Sequence, residues 1–135
     1  MIRTFVDADV LIFAARGIGA SAKRAMDVLS NPEREFVSSV FLKLEVLPKA
    51  IYHERYAEAK FYQVFFDAVN HWAIPSAKYI DSALELAQTY GLSALDALHV
   101  TAAQSLDADE FITGEKPSSP LFRVPGIKIV SLFET

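Results

Sequence analysis

The stretch Thr4-Phe5-Val6-Asp7-Ala8-Asp9-Val10-Leu11-Ile12 decides the fold. Its first three residues are β-prone, and Asp7 stops the run. Residues 10–15 are then apolar without a break, as a helix buried on most sides requires. Gly17 and Gly19 close that helix. A strand that passes through one polar junction into a buried helix is the opening half of a βαβ unit. Such units build parallel sheets covered on both faces.

Outward from this stretch the alternation continues. A second helix follows Ser21, with Ala22, Ala25, Met26 and Leu29 on one face and Lys23, Arg24 and Asp27 on the other. Asn31-Pro32 marks a turn and 35–38 a strand. Ser39 is placed to cap a helix that carries Phe41, Leu44 and Glu45, with Phe41 and Leu44 on its buried face, and Pro48 is expected to end or kink it. The spacing of Phe61, Val64, Phe65, Ala68, Val69 and Trp72 predicts one helix over 57–72. Ile74-Pro75 connects it to a helix through Tyr79, Ile80, Ala83, Leu84 and Ala87, closed by Gly91. A helix over 93–106, a strand over 111–113, a loop rich in Pro and Ser, and a strand over 127–132 complete the chain. The expected fold class is α/β with a central, mostly parallel sheet, and residues 1–135 are read as a single domain.

Composition narrows the function. Hydrophobic residues make up 52% and charged residues 22%, a globular balance. The absence of cysteine excludes disulfides and thiolate metal sites. No segment reads as a signal peptide or approaches the roughly 20 apolar residues of a membrane span, so a cytoplasmic location and no membrane association are expected. The net charge of −4 argues against holding nucleic acid by bulk charge. A local basic rim is still available from Arg16, Lys23, Arg24, Lys43 and Lys116, although solvated surface charge explains each of them as well.

In a parallel sheet, sites form outside the carboxyl ends of the strands. Asp7 falls there, with Asp9 two residues on. Asp caps helices, so Asp7 has a structural reading; two carboxylates packed together repel, and a cation is the usual reason to tolerate that. Glu45 flanks an apolar helix face and, taken alone, reads first as a solvated residue of an ordinary amphipathic helix. Ser93 and Asp96 have capping-box spacing, which also aims Asp96 at the mouth of its helix. His99, one turn later, reads first as a packed neutral imidazole, and otherwise as a group orienting a carboxylate or contacting RNA, and His53 and His71 read as surface residues. Thr113-Gly114-Glu115 sits at the end of a strand and reads as a polar turn or as part of the site. A set of carboxylates without cysteine is an oxygen-donor set. It suits Mg²⁺ or Mn²⁺, the cations of phosphate chemistry.

Four segments together resemble the motif regions of PIN-domain proteins, and of the VapC-like toxin ribonucleases in particular: 5–12 around Asp7, 38–45 ending in Glu45, Leu92-Ser93-Ala94-Leu95-Asp96-Ala97-Leu98-His99, and Phe111-Ile112-Thr113-Gly114-Glu115. The resemblance runs over essentially the whole chain. It implies a PIN-like three-layer α/β/α sandwich and a Mg²⁺- or Mn²⁺-dependent endoribonuclease acting on RNA. It also implies a homodimer, and inhibition by a small antitoxin protein as in a type II toxin–antitoxin pair. By position it implies Asp7, Glu45, Asp96 and Glu115 as metal-binding and catalytic carboxylates, with Asp9, Thr113 and His99 in support. Two residues depart from the pattern: Asp9 stands where Asn, Ser or Thr is usual, and Glu115 where Asp is usual.

Two other readings fit parts of the sequence. Asp7-Ala8-Asp9-Val10-Leu11 also matches the first motif of haloacid-dehalogenase-like phosphatases, whose nucleophile and acid/base are Asp residues two apart. That chemistry needs a strand-end Lys and a later acidic pair, and neither Lys116 nor Asp107 with Asp109 fits. A catalytically degenerate RNA- or protein-binding module is the non-enzymatic alternative.

Overall fold

The structure is a computed structural model that describes residues 1–133. Five strands, β1 (Ile2–Val6), β2 (Arg34–Ser39), β3 (His71–Ala73), β4 (Glu110–Thr113) and β5 (Lys128–Ser131), form one sheet in the order β3-β2-β1-β4-β5. Every pairing is parallel. The helices are α1 (Ala8–Arg16), α2 (Gly19–Leu29), α3 (Val40–Tyr52), α4 (Tyr56–Asp67), α5 (Ala77–Tyr90) and α6 (Ala94–Ser105).

From β1 the chain steps outward through α1 and α2 to β2, then through α3 and α4 to β3. It returns through α5 and α6 to the far side of β1. Right-handed crossovers put the first four helices on one face of the sheet and the last two on the other. The packing agrees: α1 touches α2, α3 and α4, while α5 lies on α6. This is the three-layer α/β/α sandwich expected from the sequence, with a sheet that is parallel throughout. The reversal of strand order falls between β1 and β4, so a crevice opens at their carboxyl ends.

The central strands are buried on both faces. Phe5 and Val6 of β1 and Phe111 and Ile112 of β4 are closed to solvent, and the rings of Phe5 and Phe111 stack at 5.2 Å between centroids. Leu11, Leu42 and Val100 meet them from the helices. Phe65 and Phe66 also lie in this core, so packing accounts for the aromatic run of α4.

Three local expectations are corrected. The helix expected over 57–72 stops at Asp67, and His71–Ala73 becomes edge strand β3 on β2. The Asn70 amide leaves the helix to donate to the Phe36 carbonyl at 2.9 Å, which starts the new strand. Pro48 neither ends nor visibly interrupts α3, which continues to Tyr52. Pro48 and Leu44 share an exposed face of that helix, so the carbonyl left without its amide partner can be met by water. Leu44 itself is 61% exposed, and Leu42, Val46 and Ala50 supply the buried face instead.

Candidate metal and nuclease site

The junction after β1 is built around Asp7. Its carboxylate caps α1, with the Val10 amide donating to Oδ1 at 3.3 Å. The same oxygen accepts from the Gly114 amide at 3.3 Å, and Oδ2 accepts from the Thr113 hydroxyl at 2.5 Å. The contacts that start α1 therefore also fix the carboxylate across the β1–β4 crevice. Thr113 is closed to solvent and takes a further bond from the Glu115 amide at 2.9 Å, which orders the turn that presents Glu115. Ser131 of β5 donates to the Glu115 carbonyl at 2.6 Å.

The turn also depends on Gly114. A β-carbon there would overlap Asp9 Cβ and stand 2.9 Å from the Phe13 ring. Nothing larger than glycine lets the end of β4 approach α1 this closely.

The other carboxylates arrive from two helices on opposite faces of the sheet. Ser39 caps α3 through the Leu42 amide at 3.4 Å, and Glu45 follows one and a half turns on. Ser93 caps α6 by accepting from the Asp96 amide at 3.2 Å, which places Asp96 in the first turn, where the helix dipole favours negative charge. His99, 2% exposed, joins the two helices: its Nε2 lies 2.7 Å from Glu45 Oε1. Nδ1 of the same ring is buried without a partner. The tautomer that donates from Nε2 and leaves Nδ1 bare avoids burying an unpaired N–H. His99 is thus a packed residue whose ring meets a carboxylate, Glu45.

Asp7, Asp9, Glu45, Asp96, His99 and Glu115 line a single cavity of about 220 Å³, together with Ala8, Ser93 and Leu95. Thr113 lies behind it, against Asp7. Ser93 is the lining residue that the sequence presented only as a cap. No Lys or Arg forms an ion pair with these carboxylates among the described residues. Burial, opposed by the Thr113 hydrogen bond and aided by Asp9, pushes the Asp7 carboxyl up to about 7. Burial and the charges of Glu45 and Asp96 raise Asp9. Burial also raises Asp96 against the pull of His99, and burial with Asp96 and Asp9 raises Glu115.

The donor set fits a hard divalent cation. It is all oxygen, and its charges are mutually unfavourable until something positive joins them. Among the described residues no three acidic or imidazole groups converge closely enough to enclose an ion by themselves. Mg²⁺ does not ask for that, since it usually keeps several waters and takes one or two carboxylates.

The expected basic rim is mostly committed elsewhere. Arg16 pairs with Glu58 at 3.1 Å and Lys23 with Asp27 at 3.0 Å. Arg24 donates to the Leu132 carbonyl, and Lys43 lies about 6 Å from the Phe66 and Trp72 rings. His53 and His71 are exposed, as read from the sequence.

No family model and no curated protein matches the chain. Solved structures do. A chain of a toxin–antitoxin complex from Klebsiella pneumoniae is 21% identical, with a TM-score of 0.68 over 98% of this chain and 99% of that one. A chain of VapBC-1 from nontypeable Haemophilus influenzae is 15% identical, with a TM-score of 0.69 over 98% and 100%. A chain of VapBC2 from Rickettsia felis, bound to a DNA fragment from its promoter, is 13% identical, with a TM-score of 0.69 over 96% and 98%. The likeness spans nearly the whole of each chain.

Proposed function

We propose that this chain, which has the VapC-like PIN fold, is a divalent-metal-dependent endoribonuclease and the toxin of a type II toxin–antitoxin pair. The observation that carries the reading is the set of five carboxylates, Asp7, Asp9, Glu45, Asp96 and Glu115, gathered without a Lys or Arg partner among the described residues at the switch point of the sheet. The toxin–antitoxin identity of the structural neighbours supports the choice of RNA as substrate and of a small antitoxin as partner.

Asp7 and Asp96 would hold the principal Mg²⁺ or Mn²⁺, with Glu115 completing the site. Bound there, the cation supplies positive charge to the phosphate oxygens and lowers the pKa of a water. Asp7 is held by three donors, so it meets the cation without reorganising. Glu45, steadied by His99, accepts the proton of the attacking water. Water adds across one P–O bond, leaving a phosphate on one fragment and a hydroxyl on the other. Asp9 adds negative charge beside Asp7, Asp96 and Glu45 and so strengthens the demand for a cation. A homodimer, occupation of the cavity by an antitoxin and a cytoplasmic location belong to the same reading. Among the described residues no helix is long and apolar enough to cross a membrane.

The test is incubation with structured and single-stranded RNA in Mg²⁺, in Mn²⁺ and in EDTA, beside an Asp96→Asn control. Cleavage that needs both metal and Asp96 is expected. Cleavage indifferent to Asp96, or none with any substrate while calorimetry shows Mn²⁺ bound, would overturn it in favour of another chemistry or a binding module.

A further inference from the structure

A second cavity, of about 160 Å³, opens beside the first and shares Glu45 with it. It is several times the roughly 30 Å³ of one water in the liquid. Basic side chains collect here in a chain whose net charge is −4. Arg16 from the end of α1, Lys49 and His53 from α3 and its cap, and Arg55 from the α3–α4 turn all line it. Glu45, Lys49 and His53 are spaced four residues apart, so one helix face runs from the carboxylate cavity into this one. The turn that returns Arg55 over the cavity is held in an unusual shape: Glu54 has φ 56, and the Arg55 amide donates to the Ala50 carbonyl at 2.8 Å.

The charge count favours an anion. Of the two carboxylates of the lining, Glu58 is paired with Arg16, which leaves Glu45 against the two charges of Lys49 and Arg55. Lys49, His53 and Arg55 form no ion pair among the described residues. The floor is Tyr62, 1% exposed, with its hydroxyl closed to solvent. Burial, the Glu58 charge and a hydrogen bond to Glu58 raise the Tyr62 pKa.

We infer that this cavity is a phosphate subsite, in which Lys49 and Arg55 hold a backbone phosphate of the RNA strand next to the one presented to the carboxylates. The inference rests on the nuclease reading for its ligand. It gives an acidic protein a local means of holding a polyanion, and it sets the direction in which the strand leaves the carboxylates, along α3 toward its carboxyl end.

The experiment is fluorescence anisotropy in EDTA with a short single-stranded RNA, which separates binding from cleavage. The full chain is compared with Lys49→Ala/Arg55→Ala, and with Lys60→Ala/Lys128→Ala as a control of equal charge. Lys49→Ala/Arg55→Ala is expected to weaken binding about tenfold and to flatten the log–log salt dependence by about 0.7 for each phosphate no longer neutralised. The control stays near wild type. Equal losses in the control pair, unchanged affinity in Lys49→Ala/Arg55→Ala, or no RNA binding by wild type would each overturn the subsite. So would dependence on Lys49 and Arg55 of an acidic peptide and not of RNA. Binding that follows these residues while metal-supported cleavage is absent would sink the nuclease and leave the phosphate subsite standing.

Discussion

The two ends of the sheet treat buried acid in opposite ways. At the amino end, Glu110 of β4 is 6% exposed, but Arg34 at the start of β2 meets it at 2.7 Å and the Thr4 hydroxyl at 3.0 Å. Nearby, Glu35 is paired with Arg3 at 3.0 Å. At the carboxyl end, Asp7 is as buried as Glu110 and has hydrogen-bond donors but no cation, and four more carboxylates share its cavity. A carboxylate in low dielectric is tolerable when a guanidinium neutralises it and costly when it is not neutralised. Where the chain needs acid for architecture, it supplies the counter-charge itself. Where it leaves the counter-charge out, five times over on one cavity, the missing charge is expected to come from outside.

The sharpest way to break this contrast is to make the same acid-to-amide change at both ends. Asp7→Asn should lower metal-dependent RNA cleavage by roughly a hundredfold or more, while the metal-free protein at pH 8 becomes no less stable. Glu110→Gln should do the reverse: cleavage per folded molecule is kept, and unfolding by urea shows a loss of about 2 kcal/mol because Arg34 is left half-buried and unpaired. If both substitutions affected only stability, the two ends would be equivalent and the contrast would fail.

His99→Gln comes next. Removing the imidazole that steadies Glu45 should reduce cleavage by about 10–100-fold, the usual effect of losing a group that orients a site carboxylate. Single-turnover rates with Mn²⁺ would measure it, and full activity would show that Glu45 needs no support. Gly114→Ala should then cost about 1–3 kcal/mol by overpacking against Asp9 and Phe13, read from the urea midpoint.

The smallest effect is a slope with pH. The ordinary Asp value is 3.8, and burial lifts Asp7 in the folded protein to about 7. Folded protein therefore holds a proton that the unfolded chain has released. The contribution is full below 3.8 and is lost as pH rises through about 7, so metal-free stability should fall between pH 5 and 8. Asp7→Asn should flatten that fall, and added Mn²⁺ should raise Tm more at pH 8 than at pH 5.5.

Much of this was legible in the sequence because the signals are local. An apolar run cut by Asp7, Ser93 three residues before Asp96, and a strand ending in Thr113-Gly114-Glu115 each announce a junction, and in a parallel sheet the junctions after β1 and β4 share one edge. What escaped depends on distant partners. The period of Phe61 to Trp72 is continuous in sequence, yet Asn70 is captured by Phe36 on the neighbouring strand, and no helical pattern records that. Arg16 and Arg24 looked free beside the motifs, but Glu58 and the Leu132 carbonyl hold them. The Glu45–His99 contact spans 54 residues. The four-residue spacing of Glu45, Lys49 and His53 was present all along, but it acquires meaning only when the end of α1 and the floor residue Tyr62 close the cavity around it.

The central claim is that the uncompensated carboxylates are a cation site. Calorimetric titration of the full chain with Mn²⁺ at pH 7.5, against Asp7→Asn under the same conditions, tests it most directly. Saturable binding by wild type, with the heat lost in Asp7→Asn while its unfolding remains cooperative, is the predicted result. No saturable binding by folded wild type, or equal binding by the variant, would contradict it.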